Sequence, residues 1–171
     1  MSFKLKTFRD PDARLYEFER EMIRVVDHDF GDFLIDLMNS KSFHSLGGKL
    51  IETEQIKNPR KSDTLNDLPE DLKDKILFKH RKIFFPSYPY EWPPEMLHSA
   101  GVLTTDIVAA ILEDGAGLKD ATPFNVLFDG PNPIFIDLAS FERRRSGDPF
   151  WPPEGQLLRN FMYPLLLSQE F

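Results

Sequence analysis

The sequence predicts an α+β protein, with a small strand-containing first lobe and a mainly helical second lobe that carries one β-hairpin. Three observations lead there. An apolar stretch opened by Pro94 has helical spacing, two short apolar runs flank Asp129-Gly130, and a stiff proline and aromatic connector over residues 86–94 separates these from residues 1–85.

The elements follow in order. Asp10 can cap a helix and Pro11 suits a first helical position. Leu15, Phe18, Met22, Val25 and Val26 then recur at helical spacing, so residues 11–27 are expected to be helical. Gly31 to Met38 reads as a second short helix, Gly47-Gly48 as a turn, and Lys49 to Ile56 as a loose strand. Residues 57–74 are polar and read as a linker with one helical turn over Pro69 to Lys73. Residues 75–85 alternate apolar and basic side chains, as a strand does.

The connector holds four prolines in nine residues, which excludes a helix or a central strand. Pro94 opens a helix carrying Met96, Leu97, Ala100, Leu103, Ile107, Val108, Ile111 and Leu112, with Gly115 as its stop. Ala116 to Phe124 reads as a loop. Asn125 to Phe128 and Ile134 to Leu138 form the hairpin about Asp129-Gly130. From Glu154 the chain is expected to be helical until Pro164 bends or ends it.

The 171 residues hold 16 Phe, so the core is expected to be aromatic, and a net charge of -7 argues against a nucleic-acid surface. Arg143-Arg144-Arg145 reads as a solvated loop, with a phosphate or acidic-partner contact as the alternative. With no cysteine there is no disulfide or thiolate chemistry. The four histidines lack metal-ligand spacing, and Asp27-His28-Asp29 reads as a helix-end cluster. Met1 to Lys6 lacks a signal-like apolar run and no window reads as a membrane span, so a cytoplasmic location is expected. Phe161 to Leu167 is strongly apolar and needs a cover, either on this chain or in a continuation beyond it.

Chemistry concentrates between Leu118 and Asp137. Leu118-Lys119-Asp120-Ala121-Thr122-Pro123-Phe124-Asn125-Val126, followed by Ile134-Phe135-Ile136-Asp137-Leu138, resembles the catalytic loop of protein kinases, His-Arg-Asp-x-x-x-x-Asn, and the strand that ends in the Asp of Asp-Phe-Gly. It is similar as well to the corresponding loop of aminoglycoside-type small-molecule kinases. The resemblance implies a reduced protein-kinase-like fold. It makes Asp120 the catalytic or orienting carboxylate and Lys119 the basic residue beside it. Asn125 and Asp137 become metal ligands, with Mg2+ and ATP as cofactors.

These residue types suit that chemistry. Phosphoryl transfer depends on positioning and charge neutralisation, and magnesium prefers hard oxygen ligands. The chain departs from the pattern at Leu118, where kinases carry His, and at Leu138-Ala139, where they carry Phe-Gly. It contains no Gly-x-Gly-x-x-Gly run and no recognisable Val-Ala-Ile-Lys strand, which leaves Lys49, Lys79 and Lys82 as substitutes for phosphate contact.

A competing pattern, Ala109 to Gly117 with Asp137 some twenty residues on, mimics the start of a nucleotide-binding βαβ unit. Pro123, Gly130, Pro131 and Pro133 leave no room for its helix.

The connector Phe85 to Leu97 together with Gly117 to Val126 is similar to the N-terminal region of a bacterial family of class I S-adenosylmethionine-dependent methyltransferases that includes relatives of host-specific nodulation proteins. The resemblance is strongest over residues 75–167. It implies a methyltransferase domain C-terminal to this region, which would hold the S-adenosylmethionine and be the partner of this chain. Three functions are then open: a degenerate kinase-like binding module, an active Mg-ATP-dependent small-molecule phosphotransferase, or a purely structural interaction domain.

Overall fold

The structure is a computed structural model that describes residues 4–5, 13–18, 21–57, 69–145 and 147–169. It divides into two compact units, Met1–Asp36 with Ile51–Lys82, and Leu37–Leu50 with Ile83–Phe171. Residues 37–50 thus cluster with the second unit.

The described part of the first unit is an antiparallel sheet with a helix. In chain order it contains β1 (Lys4–Leu5), β2 (Ala13–Phe18), β3 (Glu21–Val26) and α1 (His28–Met38). After α2 (Lys41–Ser45), which belongs to the second unit, come β4 (Thr53–Gln55), α3 (Glu70–Lys73) and β5 (Ile76–His80). The strand order is β1-β2-β3-β5-β4.

The helix expected over 11–27 is two paired strands instead, in register from Ala13 opposite Val26 to Phe18 opposite Glu21. The helical spacing arose because β3 is central and covered on both faces. Ile23, Arg24, Val25 and Val26 are all buried, so period-two alternation is lost. The β-branched Ile23, Val25 and Val26 favour the pleated conformation. Ile23, Val25, Leu72 and Leu77 form the core of one sheet face. Helix α1 approaches the sheet closely at Gly31, where a Cβ would stand 2.6 Å from Ile76 Cδ1.

The strand expected over 75–85 ends at His80, and the strand expected over Lys49 to Ile56 shortens to β4. The helical turn expected at Pro69 to Lys73 is α3, while residues 58–68 of the linker lie outside the described residues. Asp27 caps α1 through its carbonyl, 2.8 Å from Gly31 N, and its carboxylate meets Lys75 Nζ at 2.7 Å. That hydrogen bond holds the Asp27 carboxyl below its usual range.

Three polar side chains in this sheet satisfy one another. Arg24 and His80 are each only 4% exposed. Arg24 Nε donates to His80 Nε2 at 3.2 Å. Thr53 Oγ1 gives its one proton to the Ile51 carbonyl at 2.9 Å, so at its 2.8 Å contact with His80 Nδ1 it must accept. His80 is therefore neutral, with its proton on Nδ1. Burial, then the Arg24 charge, pushes its pKa down to about 3.

The second unit is organised on α4 (Pro94–Ile111), which buries Ala100, Leu103, Thr104, Ile107 and Ile111. Pro94 to Asp114 is long and apolar enough to cross a membrane, contrary to the sequence expectation. In the structure the buried face of this helix packs on α2, on β6 (Ala116–Leu118) and on a β-hairpin. The hairpin pairs β7 (Val126–Asp129) with β8 (Asn132–Phe135), and Gly130 takes the positive φ of 59° that its turn requires.

Strand β6, expected as loop, pairs with β9 (Phe141–Arg143). Its three residues are wholly buried, and three residues are too few for periodicity to detect. Phe43, Phe135 and Phe141 form an aromatic core with centroids about 6 Å apart, 6.1 and 5.8 Å.

Past Pro153 the chain forms α5 (Glu154–Leu157), a π-helical turn (Leu158–Met162) and α6 (Tyr163–Ser168). The helix continues through Pro164 rather than ending there. The wider π turn lies just ahead of the proline, where the missing N–H and the ring disrupt the α pattern.

Candidate active site

Two nested antiparallel pairs set the site. Leu118 in β6 is opposite Phe141 in β9, and Val126 in β7 is opposite Phe135 in β8. The loops 119–125 and 136–140 run between those ladders and are anchored at both ends. Lys119 N donates to the Ser140 carbonyl at 2.7 Å, and Ile136 N donates to the Asn125 carbonyl at 2.8 Å. The ladder thus places Asp137 one residue beyond the partner of Asn125.

Within this frame Asp120 and Asn125 come together. Asn125 is buried, and its Nδ2 donates to Asp120 Oδ1 through a short hydrogen bond and to Ser140 Oγ at 3.5 Å. Ser140, 2% exposed, donates from Oγ to the same Asp120 Oδ1 at 2.8 Å. Oδ1 of Asp120 thus accepts from two donors, one on each of its two lone pairs. Asp120 keeps Oδ2, and Asn125 keeps its amide oxygen, for an outside ligand.

Asp137 caps the 3-10 turn Leu138–Ser140, its Oδ1 accepting from Ala139 N at 3.3 Å. The residue after the Leu-Ala pair is therefore turned back onto Asp120. Sequence reasoning missed Ser140; the signal was an Asp-x-x-Ser spacing that makes one tight turn.

The loop is braced from the far side. Ala121 N donates to Gln156 Oε1 at 2.7 Å, and Trp151 Nε1 donates to the Leu118 carbonyl at 3.3 Å. Arg144 crosses Gly117, where a Cβ would lie 2.5 Å from its Cδ. Its Nη2 donates to the Asp148 and Phe150 carbonyls at 3.0 and 2.7 Å. Arg144 is thus a structural strut, not the solvated residue expected.

The expected lysines lie each within its own unit. Lys119 is exposed on the loop 119–125, beside Asp120. Lys49 lies in the second unit and pairs with Asp106 at 2.7 Å. Lys79 and Lys82 lie in the first unit and pair with Glu21, at 3.2 Å, and with Glu17. Among the described residues no group of three His, Cys, Asp or Glu is placed to hold a metal by itself. Any cation here needs Asn125 and ligand oxygens as well.

No protein-family model matches the chain. The nodulation protein NoeA of Rhizobium meliloti (strain 1021) is 27% identical over 166 residues, which is 96% of this chain and 33% of that protein. The chain therefore spans a third of the length of that relative. Among solved structures, a crystal structure of a kinase domain superposes with a TM-score of 0.50 and 10% identity, over 88% of this chain and 53% of that one. Vaccinia related kinase 3 gives a TM-score of 0.47 at 12% identity, over 82% and 48%. The fold is kinase-like α+β, as the sequence predicts.

Proposed function

We propose that the chain is a degenerate kinase-like binding module of a larger, nodulation-related protein of the methyltransferase type. It would take a magnesium-bound nucleotide, ATP in the first instance, in the cytoplasm, and transfer its phosphoryl group poorly or not at all. The observation that carries this reading is the Asp120–Asn125–Ser140 cluster beside Asp137. Its internal hydrogen bonds support a retained lower half of such a site, and the sequence has no Gly-x-Gly-x-x-Gly run to clamp phosphates.

The donor set fits the cation. Asp120 Oδ2, the Asn125 amide oxygen and the Asp137 carboxylate are hard oxygens of the kind magnesium takes together with water and phosphate. When bound, the cation would neutralise phosphate charge. The chain's own residues orient one another: Asn125 and Ser140 hold Asp120, and the ladder between Asn125 and Ile136 sets Asp137. Lys119 lies next to Asp120 and supplies positive charge on the exposed side of the loop.

Binding to the folded state raises its stability by mass action. Millimolar Mg-ATP is expected to raise the melting temperature by several degrees, and Asp137→Ala to remove that shift. Release of ADP should stay at the uncatalysed level. No shift in the parent chain would sink the nucleotide reading. Rapid ADP formation in the presence of a small hydroxylated acceptor would instead favour an active phosphotransferase, which the intact Asp120–Asn125 contact allows.

The accessory role has its own observation. Phe161 is buried, but Met162, Tyr163, Leu166 and Leu167 are 45–63% exposed and follow one face of the last helix. We take the methyltransferase domain of the larger protein as their cover, where S-adenosylmethionine would bind. Without that cover, the chain is expected to self-associate at tens of micromolar, and Leu166→Glu with Leu167→Glu to return it to a monomer. Light scattering that shows a monomeric parent chain at all concentrations counts against this role.

A further inference from the structure

We propose that Ser140 is a positioning residue of the cation site, holding the Asp120 carboxylate and the Asn125 amide in the orientation that presents Asp120 Oδ2 and the Asn125 carbonyl oxygen to a divalent cation. The inference rests on the binding reading above and deepens it, because the kinase pattern that identifies Asp120, Asn125 and Asp137 assigns nothing to this serine.

The geometry is directional. Ser140 has one hydroxyl proton, and its short contact at 2.8 Å is with Asp120 Oδ1; the Asp120 carbonyl is farther, at 3.5 Å. That proton therefore goes to the carboxylate, and the hydroxyl oxygen accepts from Asn125 Nδ2. The three side chains form a closed ring of donors and acceptors in which each fixes the other two. Two donors on Oδ1 stop the carboxylate from turning about its Cβ–Cγ bond.

The ring sits where reorientation is costly. Asn125 and Ser140 are 6% and 2% exposed, so neither can exchange its partner for bulk water. Ser140 is also fixed through its main chain, its carbonyl accepting from Lys119 N at 2.7 Å and its N–H donating to the Asp137 carbonyl at 3.1 Å. One residue therefore ties the turn begun by Asp137 to the loop that carries Asp120. Removing the hydroxyl leaves an Asn125 N–H without its acceptor and the Asp120 carboxylate held by Asn125 alone.

The test uses Mn2+ alone as the probe, titrated into the whole chain and read by electron paramagnetic resonance. Loss of a residue that orients metal ligands typically weakens metal binding about 10–100-fold. Ser140→Ala is expected to weaken Mn2+ binding at least tenfold, and Ser140→Thr, which keeps the hydroxyl, to recover most of it. Thr104→Val is the control for loss of a buried hydroxyl, since Thr104 is fully buried and bonds the Ala100 carbonyl on α4. It should bind as the parent does.

The side-chain amide signals of Asn125 give a second readout in the metal-free protein. Their slow solvent exchange is expected to be lost in Ser140→Ala and kept in Thr104→Val. If Ser140→Ala binds Mn2+ like the parent while Asp137→Ala does not, the positioning role is wrong and the binding reading stands. If the parent chain shows no affinity for Mn2+, the binding reading fails and the positioning role with it.

Discussion

The two units each hold a cluster of three polar side chains, two buried and one half-buried, and the clusters are built to opposite ends. In the first unit, Arg24, His80 and Thr53 lie on neighbouring strands of a sheet and pass hydrogen bonds in one direction to the Ile51 carbonyl. In the second, Asp120, Asn125 and Ser140 lie on loops held between strand pairs and converge on a single carboxylate oxygen. The first arrangement uses the ring nitrogens of His80 and the hydroxyl of Thr53 inside the protein. The second holds back Asp120 Oδ2 and the Asn125 carbonyl oxygen. A closed chain on strands contributes order and stability, whereas a convergent cluster on anchored loops is preorganised for something from outside.

The sharpest way to break this contrast is His80→Leu. It strands the donor of Arg24 and a lone pair of Thr53 in a buried site, at a cost of about 2–3 kcal/mol. Thermal melting should register this as a drop of several degrees, with Mn2+ affinity unchanged; a change in affinity would show that the first cluster also serves the site.

The acid side of the stability profile sharpens the same point. His80 titrates at about 3 when folded, against 6.5 for an unperturbed side chain. Its folded pKa is depressed, so below pH 6.5 the unfolded chain gains a proton that the native one does not. Stability is expected to fall by about 1.4 kcal/mol per pH unit from this group between pH 6.5 and 3. Denaturation at pH 7 and pH 5 would show it, and His80→Leu should flatten the slope.

The smallest effect is expected at the exposed ion pairs. Lys49→Ala and Lys79→Ala each remove a pair whose members are 39–48% exposed. Such pairs contribute under about 1 kcal/mol, and less in high salt. Urea midpoints should barely move. Loss of the Mg-ATP shift in either variant would reinstate that lysine as a phosphate contact.

How far each region could be read in advance followed from how local its signal was. Helix α4 and the hairpin were legible because a capping proline, an apolar periodicity and an Asp-Gly turn each act within a few residues. The kinase-like spacing of Asp120, Asn125 and Asp137 could be noticed for the same reason, since it lies along one short stretch of chain. The β2–β3 pair was not: Leu15, Phe18, Met22, Val25 and Val26 satisfy a helical template, and only the β5 neighbour of β3 makes that strand central. Ser140 escaped notice because its partners are 15 and 20 positions away in sequence.

The sequence by itself determined the α+β class, the central helix and the Asp-Gly hairpin. Each is a matter of local backbone preference or of spacing within one segment. Tertiary structure decided that residues 13–26 are strands, that Arg144 is a strut, and that His80 is neutral beside Arg24. It also decided that Ser140 closes the ring on Asp120. These depend on which distant groups meet in a buried place, where an unpaired donor or charge is costly and every partner must be supplied by the fold.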